Sequence, residues 1–265
     1  MKKISLLIVF ITIVLSTNLL NGQNGICFSS FQNNTFSSGM NNKFQVVGDL
    51  NNDGYSDLIS FSETSTNISV MLNNNGTIPP PTLIPVGVIP VSPVLADFNN
   101  DTILDLAFSS YNTSQISVML GDGNGSFTST YTISAGTPKS KLVAIDFNED
   151  SKLDIVIGYE LIATNLVELI GDGSGQFSYF NQNYVPYGPT DMIVVDFNND
   201  SHDDIAILNE ASNNVVVYNG NGAGVFSYGC NFIVPNIWKS LCSADVNNDG
   251  NIDLILPTTT NSVSS

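Results

Sequence analysis

One nine-residue stretch recurs five times at an almost fixed interval, and few architectures tolerate such a recurrence. Its copies begin at Asp49, Asp97, Asp146, Asp196 and Asp245, spaced 48, 49, 50 and 49 residues apart. Each copy keeps Asp, Asn, Asp and Asp at positions 1, 3, 5 and 9. The sets are Asp49, Asn51, Asp53 and Asp57; Asp97, Asn99, Asp101 and Asp105; Asp146, Asn148, Asp150 and Asp154; Asp196, Asn198, Asp200 and Asp204; and Asp245, Asn247, Asp249 and Asp253. A period near 49 residues, in a chain of short apolar runs, points to a repeat array or a propeller.

The chemistry of the stretch is that of a hard cation. Such ions take six to eight oxygen ligands from carboxylates, amides and main-chain carbonyls. Alternate residues of a curled loop can aim several oxygens at one centre, and position 9 can close the cage after the loop has turned. An EF-hand is excluded, because it needs a bidentate Glu at position 12 and flanking helices. Position 12 here is Ser60, Phe108, Ile157, Ile207 or Leu256, and the flanks are strand-like. An Asx-rich turn that binds nothing would leave three uncompensated Asp residues in each of five loops, a source of repulsion.

A second signature travels with the first. Gly121-Asp122-Gly123-Asn124-Gly125-Ser126-Phe127 returns as Gly171-Asp172-Gly173-Ser174-Gly175-Gln176-Phe177 and, with Asn219 before it, as Gly220-Asn221-Gly222-Ala223-Gly224-Val225-Phe226. Each is preceded by a run rich in Val, Ile, Leu or Met and reads as a strand, a tight turn and a new strand. Every repeat therefore reads as four strands. In the fourth, A spans 192–195, B 204–208, C 214–218 and D about 225–234. Pro79-Pro80-Pro81 makes the outer strand of the first repeat irregular. Sustained 3.6-residue periodicity with caps is absent, so the expectation is an all-β propeller of four-stranded blades. The fifth repeat stops as its third strand begins, which suggests a fragment of a longer array or an incompletely closed ring.

Composition fits an exported cation binder. There is no arginine, and seven lysines face 24 acidic residues, 15 of which are the Asp residues at loop positions 1, 5 and 9. Five Ca²⁺ ions, at two charges each, would move the formal charge from −17 to −7. The balance opposes nucleic acid, whose phosphates need Lys and Arg, and an anionic membrane surface. Lys2 and Lys3 followed by the apolar run 4–15 form a secretory signal, with cleavage near Gly22 or Ser16. The expected division is a signal peptide at 1–22 and repeats over 23–265, without membrane insertion after cleavage. Seven Asn-x-Ser/Thr sequons begin at Asn33, Asn67, Asn75, Asn100, Asn112, Asn124 and Asn199. Of three cysteines, Cys230 and Cys242 are either a disulfide or, given Val or Ile at the positions aligned with Cys242, a buried thiol for the latter. Cys27 has no obvious partner.

With both signatures set out, the chain resembles the FG-GAP/VCBS repeat family over residues 44–256. The resemblance implies a β-propeller like the head of integrin α subunits, commonly seven-bladed, with Ca²⁺ in the loop between strands A and B. It also implies that position 7 supplies a main-chain carbonyl: Tyr55, Ile103, Lys152, His202 and Asn251. Gly54 and Gly250 match the family at position 6, where φ is positive. Thr102, Ser151 and Ser201 depart from it, and the β-branched Thr102 marks the second loop as the weakest binder.

These readings converge on a secreted calcium-binding propeller that acts as an extracellular binding or adhesion module, with up to five Ca²⁺ ions in a mainly structural role. Its partner is an extracellular protein or glycan. Lectin-like carbohydrate binding, with Trp238, Tyr111, Tyr159 or Tyr218 stacking on sugars, is the alternative, as is a non-catalytic part of a polysaccharide-degrading enzyme. Catalysis has little to draw on: His202 is the only histidine and lies in a loop, and Glu168 and Glu210 read as solvated surface.

Overall fold

A computed structural model describes residues 42–77, 79–134, 137–159, 165–184, 189–234 and 240–256. The leader, residues 24–40, Cys27, Asn33, Trp238 and the segment 260–265 lie outside the described residues.

The 49-residue period becomes a series of antiparallel meanders. The first blade comprises β1 (Asn42–Gly48), β2 (Asp57–Ser62), β3 (Asn67–Met71) and β4 (Thr82–Pro85). The second comprises β5 (Pro90–Ala96), β6 (Asp105–Ser110), β7 (Gln115–Gly121) and β8 (Phe127–Ser134). The third comprises β9 (Lys141–Ile145), β10 (Asp154–Gly158), β11 (Asn165–Gly171) and β12 (Phe177–Tyr184). The fourth comprises β13 (Pro189–Val195), β14 (Asp204–Asn209), β15 (Asn214–Asn219) and β16 (Ser227–Ile233). Two strands of the fifth are described, β17 (Cys242–Ala244) and β18 (Asp253–Ile255). Strands pair in chain order within each sheet. The fourth-repeat strands fall within three residues of their expected ends. The outer strand β4 starts just after the Pro run and has four residues where β8 and β12 have eight.

The core lies between blades rather than inside any one of them. Side chains on a strand alternate between faces, and here each face meets a neighbouring blade. On β10, Ile155 and Ile157 join the cluster shared with the second blade, while Val156 joins the cluster shared with the fourth. Leu106 and Phe108 on β6 meet the first blade, whereas Ala107 meets the third. Burial on both faces explains why strands B and C read as unbroken apolar runs. A fully buried Ile or Leu contributes about 1.5–3 kcal/mol, so each interface is a substantial fraction of the fold's stability.

Two-sided burial also corrects the reading of Glu168 as solvated. It is fully buried on β11, opposite Val156 on one side and Asn181 on the other. Glu210, in the β14–β15 turn, is half-buried. Tyr218 is buried in the cluster between the third and fourth blades, which removes it as a sugar-stacking surface. Cys230 and Cys242 are both free thiols. Cys242 is exposed where its counterparts Val46, Val94, Val143 and Ile193 pack against the next blade.

Candidate metal loops

All five loops share one hydrogen-bond plan, built from the backbone outward. The position-1 carboxylate accepts from the N–H groups of positions 5 and 6: Asp49 from Asp53 (3.2 Å) and Gly54 (2.8 Å), Asp97 from Asp101 and Thr102, Asp146 from Asp150 and Ser151, Asp196 from Asp200 and Ser201, Asp245 from Asp249 and Gly250. The position-5 carboxylate accepts from the N–H of position 7, at Tyr55, Ile103, Lys152, His202 and Asn251. These short-range bonds curl the chain and hold the odd-numbered positions on one side of the turn.

The curl requires left-handed backbone at two positions. Position 6 has φ from 65° to 85°, as the sequence led one to expect, and Thr102 sits there at 68°. Position 4 is left-handed as well: Asn52, Asn100, Glu149, Asn199 and Asn248 have φ from 55° to 61°. This second constraint went unread, although Asn at four of five copies was its signal, since Asn visits this region more readily than most residues.

Position 9 behaves differently from the rest. Asp57, Asp105, Asp154, Asp204 and Asp253 are at most 1% exposed. One oxygen accepts from the position-2 N–H of Leu50, Phe98, Phe147, Phe197 or Val246. In the first four blades the other accepts from the end of strand C, at Asn73, Gly121, Gly171 and Gly220. The carboxylate thus pins loop to hairpin. Burial pushes the carboxyls of Asp105, Asp154 and Asp204 up to about 6, against the pull of those two N–H groups, and the Asp residues at positions 1 and 5 add to the rise.

The glycine-rich turn completes the interlock. A Cβ at Gly121, Gly171 or Gly220 would collide with the position-8 carbonyl of Leu104, Leu153 or Asp203, so strand C can approach the loop only without a side chain. The turn's Phe then packs under the preceding blade's loop: Phe177 meets Phe98 edge-on at 5.5 Å, and Phe226 meets Phe147 at 6.2 Å. Asp122, Asp172 and Asn221 close their own turns by accepting from N–H groups two and four residues on. The bonds from Ser174 hold the Asp172 carboxyl below its ordinary range. Position 7 uses its side chain as well. Ile103, Lys152 and His202 lie against Gly123, Gly173 and Gly222 of their own blades. Nδ1 of His202 also meets Oε1 of Glu149, which raises the imidazole pKa.

Each loop offers oxygen donors alone, the donor set of a hard cation. One atom records the fit. In four loops the position-3 Asn Oδ1 accepts from the position-5 N–H, at 2.8–3.2 Å. In the fourth, Oδ1 of Asn198 is buried without a hydrogen-bond partner, which leaves that acceptor open to a ligand. Asp196, Asn198, Asp200 and Asp204, with the His202 carbonyl, are the residues that would hold an ion there. Among the described residues no three His, Cys, Asp or Glu side chains converge as a metal cluster. The loops instead mix carboxylate with amide, and their carboxylates are turned onto the loop's own N–H groups.

Of the sequon residues, Asn75, Asn112 and Asn124 are exposed. Asn100 and Asn199 are exposed as well, yet their amides are engaged with the next blade's loop.

Residues 49–108, 97–157 and 196–256 each match the profile of the FG-GAP-like repeat, and together they span more than half of the chain. No curated protein matches the sequence. Among solved structures, the chain is similar to a lectin from Agrocybe aegerita described as recognising non-reducing terminal N-acetylglucosamine, with 18% identity and a TM-score of 0.57 over 80% of this chain and 59% of that one. It is similar to BBS1N in complex with ARL6DN, with 15% identity and a TM-score of 0.54 over 81% and 65%. It is also similar to the periplasmic gluconolactonase PpgL of Pseudomonas aeruginosa, with 15% identity and a TM-score of 0.52 over 71% and 53%. The chain spans between half and two thirds of the length of these three proteins, and at such identities the likeness concerns the fold alone. Repeat, loop and blade coincide along the sequence, and the chain belongs to the FG-GAP-like repeat family.

Proposed function

We propose that this protein is a calcium-binding β-propeller that serves outside the cell as a non-catalytic binding or adhesion module. The unpartnered Oδ1 of Asn198, inside a loop whose other donors are all oxygen, is the observation that carries the calcium reading. Five copies of that loop at one end of the blades support a structural role, since each ion would tie strand A to strand B. The charged leader with its apolar run supports export, and millimolar calcium outside cells fills even weak loops. A module rather than an enzyme is favoured because the chain's one histidine, His202, is turned onto Glu149 beside a loop. The ligand is an extracellular protein or a glycan, and the net charge of −17 disfavours nucleic acid.

The test is thermal unfolding of the leader-free chain in calcium and in EDTA, with calorimetric titration of the ion. A site filled at a hundred times its Kd adds about 2.7 kcal/mol. A melting temperature indifferent to EDTA would sink the calcium reading. A glycan array beside a panel of extracellular proteins then separates the two kinds of ligand.

A further inference from the structure

We propose that Asn100, Glu149 and Asn199, at position 4 of their loops, are positioning residues for the cation loop of the next blade, so that loops two to five fill as a coupled set while the first fills alone. This inference rests on the calcium reading above and concerns how the loops act on one another.

The same contact is made three times with three different chemistries. Nδ2 of Asn100 donates to the carbonyl of Ser151 at 3.4 Å. Oε1 of Glu149 meets Nδ1 of His202. Nδ2 of Asn199 donates to Oδ1 of Asn251 at 3.2 Å. In each case a position-4 side chain reaches position 6 or 7 of the following loop. Position 4 is left-handed in all three of these loops. The segment it grips is the one whose N–H groups are already held by the position-1 and position-5 carboxylates, so it moves only if those carboxylates move.

A second tie runs the other way. Gly175 N–H donates to the Phe98 carbonyl at 3.1 Å, and Gly224 N–H to that of Phe147 at 3.0 Å, so the next blade's turn holds position 2 of loops two and three. Gly222 is part of the device, because a Cβ there would lie 2.5 Å from both the Glu149 and His202 contact atoms. The first loop differs. Among the described residues, neither tie joins it to the second blade: Asn52 is exposed and makes no such contact, and no turn N–H bonds to the Leu50 carbonyl.

The energetic consequence follows from shared ordering. An ion that fixes one loop fixes the partner of its neighbour's side chain, so the neighbour loses less freedom on binding. Repulsion between bound cations acts in the opposite sense, but it acts on the first loop too, so it cannot produce a difference between the first loop and the rest.

The experiment titrates calcium calorimetrically into the leader-free chain, made without glycans, and into Asn100→Gly, Asn199→Gly and Asn52→Gly. Glycine keeps the left-handed backbone and removes only the side chain. All four should still unfold cooperatively in EDTA, since the substituted side chains are exposed. The expected wild-type isotherm has one independent site and a steeper coupled phase. Asn100→Gly and Asn199→Gly should flatten that phase and weaken part of it by about 5-fold or more, the lower end of ordinary coupling, while Asn52→Gly follows the wild type. Calcium binding with four superimposable isotherms overturns the coupling alone. Absence of calcium heat in every protein overturns the calcium reading together with it.

Discussion

Asp150 and Asp154 are four residues apart in one loop, yet they belong to different parts of the molecule. Asp150 is exposed, bonds the N–H of Lys152 two residues on and pairs with that lysine's amine at 3.5 Å. Asp154 is fully buried and joins the N–H of Phe147, in the loop, to that of Gly171, at the end of strand C, which meet only in the folded blade. The repeated motif therefore combines two jobs. Its outer positions shape a turn that can host an ion, and its last carboxylate is a rivet between loop and hairpin. A match to the motif attests the rivet as much as the ion.

The sharpest way to break this division is to remove the rivet. Asp154→Leu leaves two buried N–H groups without an acceptor, each costing about 1–3 kcal/mol, partly offset because a desolvated carboxylate is removed. We expect a net loss of about 3 kcal/mol in urea unfolding, present in EDTA as well as in calcium. A loss under about 1 kcal/mol in EDTA would mean that the inner carboxylate serves only the ion. Asp150→Ala is the converse. In EDTA it should change stability by no more than about 1 kcal/mol, the worth of one exposed turn bond. In calcium it should forfeit that loop's share of ion stabilisation, about 2.7 kcal/mol at a hundred times Kd, measured as a smaller rise in melting temperature on adding calcium.

The same division explains what could be read in advance. Blade order, the loops and most strand ends were legible because the period repeats them, and the glycines of Gly171-Asp172-Gly173-Ser174-Gly175 announce a turn in any context. Side-chain direction was not legible. Glu168 lies among Val167, Leu169 and Ile170, and in a sheet with one wet face its alternation would place it outside; in a blade with two covered faces it is buried. Cys242 shows the reverse, an interface position left exposed. Links between loops, such as Asn199 to Asn251, join residues 52 apart through contacts that no local pattern encodes.

Position 6 tests the outer half more finely. Thr102 occupies a left-handed conformation at φ 68° that Gly54 adopts freely at 85°. A β-branched residue is strained there by about 1–2 kcal/mol, while glycine gives back part of that gain through the freedom of its unfolded chain. Thr102→Gly should therefore stabilise the fold by about 0.5–1 kcal/mol and tighten calcium binding at the second loop, with chemical denaturation and calorimetry as the measurements. A destabilised Thr102→Gly would show that the threonine side chain contributes more than its backbone strain removes.

The last effect is the one whose sign separates rivet from ion site. Asp105, Asp154 and Asp204 have carboxyls raised to about 6 in the fold, chiefly by burial, against about 3.9 in an unfolded chain. Between those values the folded state holds more protons than the unfolded one, so stability rises as pH falls. The ionised groups burden the fold above pH 6, the burden lifts through the window from 6 to 4, and below 4 both states are protonated and nothing more is gained. The value of about 6 already includes the pull of the two N–H donors to each rivet, which favour the charged form. In EDTA, urea midpoints should thus move upward between pH 7 and pH 5. In calcium the trend should reverse, because protons compete with the ion for the loop carboxylates and acidification removes what the ion supplied. Parallel curves with and without calcium would mean that the buried carboxylates and the ion do not share a loop.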